Sequence, residues 1–203
     1  MTKTLIRNTA ELAGQVVSYL LPATLWRRLA NLRDFAYTGY LRRRFAHLGQ
    51  SVIAWRALKL YGLERVSIGH DTNIDSGIQL TTQPAGRVTI GNHCLIRANC
   101  HITAADSITI GDHLLTGTNV LITDNAHGLT TREHMELSPR ERPIVSKGPV
   151  VIGNNVWLGN NVCVLAGVTI GDGAVVGANS VVTHDIPAYS IAAGIPAQLV
   201  RQN

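Results

Sequence analysis

Eight histidines are spread along this 203-residue chain, at positions 47, 70, 93, 101, 113, 127, 134 and 184. Histidine is the side chain best suited to take up and return a proton near neutrality, since its ordinary pKa is about 6.5. Position separates the eight. His70, His93 and His113 each follow a glycine within two residues and read as exposed turn residues. His127 closes the apolar segment LITDNAH and opens a long polar stretch, which makes it the candidate general base. His134 lies inside that stretch and is the weaker candidate for approaching a substrate. Asp124, three residues before His127, either orients the imidazole, binds an acceptor, or shapes a turn. The three cysteines, Cys94, Cys100 and Cys163, form no C-x-x-C pair, so neither a disulfide frame nor a zinc site is implied. They read as small buried hydrophobes.

These groups need a scaffold. Hydrophobic residues make up 45% and charged residues 15%, enough apolar material for a core, so disorder is excluded. Aromatics reach only 5% while glycines number 19, a balance of repetitive β structure rather than a helical bundle. No apolar stretch reaches about eighteen residues, which argues against a transmembrane helix, and no secretion signal is evident. The expected location is therefore cytoplasmic.

A period of six sets the architecture. Apolar anchors recur at Ile152, Leu158, Val164, Ile170, Val176 and Val182. Four positions after the first five stand Val156, Val162, Val168, Ala174 and Ser180. A second tract runs Ile90, Ile96, Ile102, Ile108, then resets to Ile110, Thr116 and Ile122, with a weaker start at Ile68, Ile74 and Leu80. Period six fits neither an α-helix nor a flat strand. It fits a chain that turns a corner every six residues and closes a three-sided coil in eighteen. Anchors point inward, and Gly or Asn makes the corners. Stacked coils place Ile152 against Ile170 and Leu158 against Val176, and leave Trp157 pointing outward.

The period is briefly lost at 80–88 and lost for longer at 124–149, a polar insert containing Pro139, Pro143 and Pro149. Loops of that length are usually functional or disordered. The expected organisation is an N-terminal basic, mainly helical segment at 1–65, a β-helix at 66–186 carrying the insert, and a short tail at 187–203. Helices in the first segment are expected to break near Pro22 and Gly39. That segment holds 11 Lys or Arg against 3 acids, for +8, while the remainder sums to −3. Its plain reading is a solvated helical cap. Basic charge with Trp26, Phe35, Tyr37, Tyr40 and Trp55 also suits the cytoplasmic face of an anionic membrane, with Arg42, Arg43 and Arg44 as the leading contacts and Arg27 and Arg28 next. Nucleic acid is not the expected partner.

The tract VVIGNNVWLGNNVCVLAGVTIGDGAVVGANSVVTHDIPAYSIAAGIPAQLVR resembles the C-terminal half of the hexapeptide-repeat O-acetyltransferases. These include the maltose, galactoside and nodulation-factor enzymes and many polysaccharide O-acetyltransferases. The likeness spans roughly 66–201 and rests on VWLG, GVTIG, GANSVV, DIP and AGIPA. It implies an all-β core, a left-handed parallel β-helix, with an N-terminal helical segment and a short C-terminal tail. It also implies a homotrimer with sites between subunits, acetyl-CoA as co-substrate, no metal, and a sugar or glycan acceptor. The first third is more like the start of cell-surface polysaccharide acetyltransferases.

By resemblance, His127 occupies the position of the catalytic base, and the Asn160 backbone N–H faces the thioester carbonyl. Trp157 flanks the CoA channel, Ala178 and Thr183 line the pantetheine arm, and Arg201 lies near the nucleotide phosphates. Asn99 faces the acceptor. Arg97 stands where the family has a sugar-binding Asn, so acceptor specificity should differ; Gln198 stands where the family has a second Arg.

Two other readings share the repeat. One is a non-catalytic structural or binding trimer, which would not need His127, Trp157 and Asn160 together. The other is a γ-type carbonic anhydrase-like metal protein, which needs convergent histidines, and this chain has no H-x4-H pair. A nucleotide-sugar N-acetyltransferase normally adds a nucleotide-binding domain, and no G-x-G-x-x-G follows a strand here.

Overall fold

In a computed structural model, residues 11–14, 16, 22–54, 59–129 and 131–202 are described. Lys3, Arg7, Trp55 and Arg56 lie outside the described residues, as do the side chains of Trp26 and Arg27.

The six-residue period folds as the spacing requires. Strands, most of two to four residues, stack to build three sheets, of six, eight and six strands, that form the sides of a prism; all pair in parallel except the last strand of the second sheet. Ile152 pairs with Ile170, Leu158 with Val176 and Val164 with Val182, one coil apart. Every anchor from Ile90 to Val182 is buried, as are the residues four positions on, from Val156 to Ser180. Burying each Val, Ile or Leu contributes about 1.5–3 kcal/mol, so the filled interior is the main source of stability. The fold is a left-handed parallel β-helix with few helices.

Corners use the left-handed region of φ. His93, Asn99, His113, Asn119, Asn155, Asn161 and Asn179 all have φ between 54° and 60°. Asparagine tolerates this conformation better than most residues. Along the edge between the first and second sheets, corner N–H groups are capped by the side chain one coil further on. His70 donates to Asn92, Asn92 to Asp112, Asp112 to Asn154 and Asn154 to Asp172, at 2.6–2.8 Å. His93 and His113 stack on that edge, ring centroids 4.9 Å apart.

The β-helix begins before residue 66. Strands His47–Leu48, Ile53–Ala54 and Lys59–Tyr61 already lie on the three sheets, pairing with 66–68, 73–74 and 79–82. Leu48, Ala54 and Leu60 are themselves six apart, but the 3-10 turn Leu63–Arg65 delays the next anchor to Ile68. The end also departs from expectation. Ser190–Gly194 continues the second sheet, and Ala197–Gln202 folds back antiparallel against it.

Helix α1, Ala23–Leu41, starts after Pro22 and runs through Gly39 without a break. One helical Gly costs about 1 kcal/mol, and docking outweighs it. Thr38 Oγ1 accepts the Ala54 N–H at 3.1 Å, and Leu41 and Phe45 enter the core. Arg42 donates to the carbonyls of Leu48 and Gly49, so it ties the helix to the first coil and is not a free surface cation. Among the described residues no helix is long and apolar enough to cross a membrane.

Candidate functional site

The insert leaves the third sheet after Thr123 and rejoins the first sheet at Val150. It is an ordered arm. Asn125–His127 pairs antiparallel with Ile144–Ser146, placing His127 opposite Ile144, and helix α2, Arg132–Glu136, follows. His127 is exposed at the end of this ribbon. The chain then turns at Gly128, whose φ of 78° favours glycine and whose N–H reaches the Pro143 carbonyl at 2.7 Å. His134 Nδ1 accepts the Leu129 N–H at 2.9 Å. His134 therefore shapes the loop behind His127.

Asp124 takes a structural role, as a tertiary anchor. It is fully buried, and its two oxygens accept the N–H groups of Ala105 and Asp106 at 2.7 and 2.8 Å. Asn125 Nδ2 adds a third bond at 3.0 Å. A carboxylate held this way pins the root of the arm to the preceding coil. It is closed to an acceptor, and no hydrogen bond joins it to His127 among the described residues.

A second cluster forms where the second sheet turns into the third. Gly117, Trp157, Gly159, Asn160, Val175 and Ala178 line a groove of about 300 Å³. Three expected residues, Trp157, Asn160 and Ala178, thus meet in one place. Trp157 points outward, 52% exposed, between Leu115 and Val175 in one column. Glycine is required at 159, since a Cβ there would lie 2.6 Å from the Ala178 nitrogen.

Side-chain caps are sparse on this edge: of the corresponding corner N–H groups, among the described residues, only that of Thr118 has one, donating to Asn160 Oδ1 at 2.9 Å. The residue that should cap Asn160 in turn is Ala178, which has no acceptor. Among the described residues the Asn160 N–H donates to no protein group, and it sits on the wall of the groove. A backbone donor left open to a cleft can bind a developing oxyanion.

Arg201 stands across from Ile191, which stacks on Val175 and so on Trp157. Strand spacing places it about 14 Å along that column from the tryptophan. Gln198, exposed, pairs with Ala193 on the same hairpin. Thr183 is outside the groove and bonds His184 Nδ1 through Oγ1 at 2.8 Å. Arg97 and Asn99 occupy the groove's own edge, two coils toward the N-terminus, about 10 Å from Asn160. The Arg97 guanidinium lies 3.4 Å from the Asp75 carboxylate, and both Arg97 and Asn99 are exposed.

His127 and the groove are on different edges of one chain. The arm leaves where the third sheet meets the first, the groove opens where the second meets the third, and one prism side of roughly 20 Å separates them.

Other chemistry-bearing groups take structural roles. Cys94 and Cys100 are buried, and burial pushes their thiols up. Cys163 differs from expectation, facing outward and half-buried between Leu121 and Val181. Among the described residues no three His, Cys, Asp or Glu side chains converge in a metal-holding group.

Residues 149–184 match the family described as bacterial transferase hexapeptide (six repeats), and 87–124 match the hexapeptide repeat of succinyl-transferase. A search of curated proteins gives no significant match. Among solved structures, the hexapeptide-repeat-containing acetyltransferase VCA0836 of Vibrio cholerae O1 biovar eltor, complexed with acetyl coenzyme A, is 30% identical, with 83% of this chain and 78% of that chain covered and a TM-score of 0.59. A variant of AntD, an N-acyltransferase from Bacillus cereus in complex with dTDP and coenzyme A, shares the fold at 21% identity, TM-score 0.68, covering 82% of this chain and 88% of that chain. So does the polySia-specific acetyltransferase NeuO, at 23% identity, TM-score 0.57, covering 75% and 68%. On the identity to the Vibrio protein across most of both chains, the two matched repeat stretches and the shared β-helix, this chain belongs to the hexapeptide-repeat transferases and is an acyltransferase.

Proposed function

We propose that the protein is an O-acetyltransferase that moves acetyl from acetyl-CoA to a hydroxyl of a sugar or glycan. The observation that carries this reading is the unpaired Asn160 N–H on the wall of a groove beside Trp157. Acetyl-CoA supplies the acetyl group as a thioester. The groove fits a thin, partly apolar arm: Val175 and Ala178 offer small apolar surface and Trp157 a flat one. Arg201 supplies a cation for phosphates further along the same sheet. Solved relatives bound to coenzyme A or acetyl coenzyme A support the donor.

Each residue then has a task. His127 takes the proton of the acceptor hydroxyl as its oxygen attacks the carbonyl carbon. The Asn160 N–H donates to the oxygen on which charge develops. The C–S bond breaks, and the His127 imidazolium returns its proton to the departing thiolate. Arg97 and Asn99 contact the acceptor. A site of this kind aligns two substrates and so saves the entropy of bringing them together.

Because His127 and Asn160 stand on different edges, a second copy must bring its arm to the groove. A homotrimer does this three times by symmetry. The outward column of Leu115, Trp157, Val175 and Ile191 is the surface it would cover.

The test is thiol release from acetyl-CoA with a panel of sugars, nucleotide-sugars and lipid-linked glycans. Acetylation at oxygen with turnover dependent on His127 is the expected result. Turnover only on amino-sugars would move the reading to N-acetylation. Failure to bind acetyl-CoA in calorimetry would move the reading to another acyl donor.

A further inference from the structure

Helix α1 carries apolar side chains on its outward face as well as at its core contact through Leu41. Its inward face carries Asp34 and Thr38, both buried, with Asp34 held by Arg33 at 2.8 Å. Its outward face carries Leu25, Leu29 and Leu32 at helical i, i+4, i+7 spacing, with Phe35 beside them, all 40–63% exposed. Leu12 and Val16 upstream are exposed as well. The stripe is flanked by Arg28, Arg33, Arg43 and Arg44, all exposed, and Asp34 is the sole acid between residues 22 and 45.

The C-terminal end of the stripe meets a shallow groove of about 600 Å³ lined by Tyr37, Tyr40, Arg43, Arg44 and Tyr61. The Arg44 guanidinium lies over the Tyr40 ring, 4.5 Å from its centroid. Tyrosine and arginine join an apolar body to a polar tip and suit the headgroup layer of a bilayer.

We propose that the outward face of α1 is a docking surface for an anionic membrane, with its leucines and Phe35 in the acyl boundary and its arginines on lipid phosphates. Charge selects this occupant. A second copy laid on the stripe would set arginine against arginine, whereas an anionic lipid surface pairs with Arg28, Arg43 and Arg44, Arg33 being already held by Asp34. The helix of 19 residues, about 28 Å, lies along the surface and does not span it. Nothing in this inference depends on which acceptor is acetylated.

The experiment is co-sedimentation of the full chain with phosphatidylcholine vesicles, with and without phosphatidylglycerol. Binding to the anionic vesicles alone, weakened by salt, is expected. Replacing Leu29→Gln and Leu32→Gln together should lower partitioning at least about tenfold. Arg28→Ser and Arg43→Ser should each lower it about fivefold. These side chains are exposed, so thermal melting should be unchanged; if the leucine variant melts early, the arginine variants provide the reading. The proposal is overturned if wild-type protein ignores anionic vesicles at low salt, if neutral vesicles bind equally, or if a well-folded leucine variant binds as wild type does. A drop in solution mass in the leucine variant, without lipid, would assign the stripe to contact between copies and also overturn it.

Discussion

Asn160 and Ala178 occupy the same corner in consecutive coils, and the alanine leaves the asparagine's backbone N–H without an acceptor. At the neighbouring edge the equivalent step, from Asn154 to Asp172, is closed by a 2.6 Å hydrogen bond. Ala178→Asp should therefore restore the ladder and withdraw the donor. Loss of one oxyanion donor typically lowers kcat by about a hundredfold to a thousandfold. Circular dichroism should report an intact fold, and steady-state kinetics should show the loss in kcat rather than only in KM. Unchanged kcat would remove Asn160 from the mechanism.

His127→Ala should lower kcat about a hundredfold to ten-thousandfold, the range for losing a general base. Acetyl-CoA affinity, measured by calorimetry, should change little, because the imidazole meets the acceptor.

Asp124 makes a different prediction. Asp124→Ala removes a buried carboxylate that anchors the arm through Ala105 and Asp106. Melting should show a loss of about 2–4 kcal/mol, the scale for charged hydrogen bonds left unmade. Proteolysis should become faster within 125–146. An intact arm with impaired turnover would return Asp124 to the active site.

Stability should also depend on pH through His101. Burial first, and then the nearby Lys59 charge, push its pKa below the ordinary 6.5. The unfolded chain then takes up this proton more readily than the folded one. The contribution is fully present above about pH 6.5 and is lost as pH falls through the lower folded value. Melting temperatures between about pH 7 and about pH 5 should fall less steeply in His101→Gln than in wild type.

The coil stack was legible because anchors such as Ile152, Ile170 and Val176 alternate with fixed corner residues over many repeats. The first coil is hard to read from sequence although Leu48, Ala54 and Leu60 keep the same spacing, because only its first corner, at Gly49, has the usual residue and a 3-10 turn shifts the phase. Arg42 looked like one of three equivalent surface charges, and only tertiary contact shows it bonded to Leu48 and Gly49. Asp124 could not be separated from a catalytic partner by spacing, since its partners lie 18 and 19 residues away. The open N–H of Asn160 was readable in principle: the next residue at its corner is Ala178, whose side chain has no acceptor, like that of Ala98, which precedes Thr118 on the same edge.

The central claim is that one site is built from the arm of one copy and the groove of another. Two inactive variants test it when mixed: His127→Ala, with an intact groove, and Ala178→Asp, with an intact imidazole. After subunit exchange in equal amounts, a shared site predicts recovery of about a quarter of wild-type activity, the statistical fraction of sites with both parts intact. No recovery, in a mixture shown by mass to have exchanged subunits, would contradict the account.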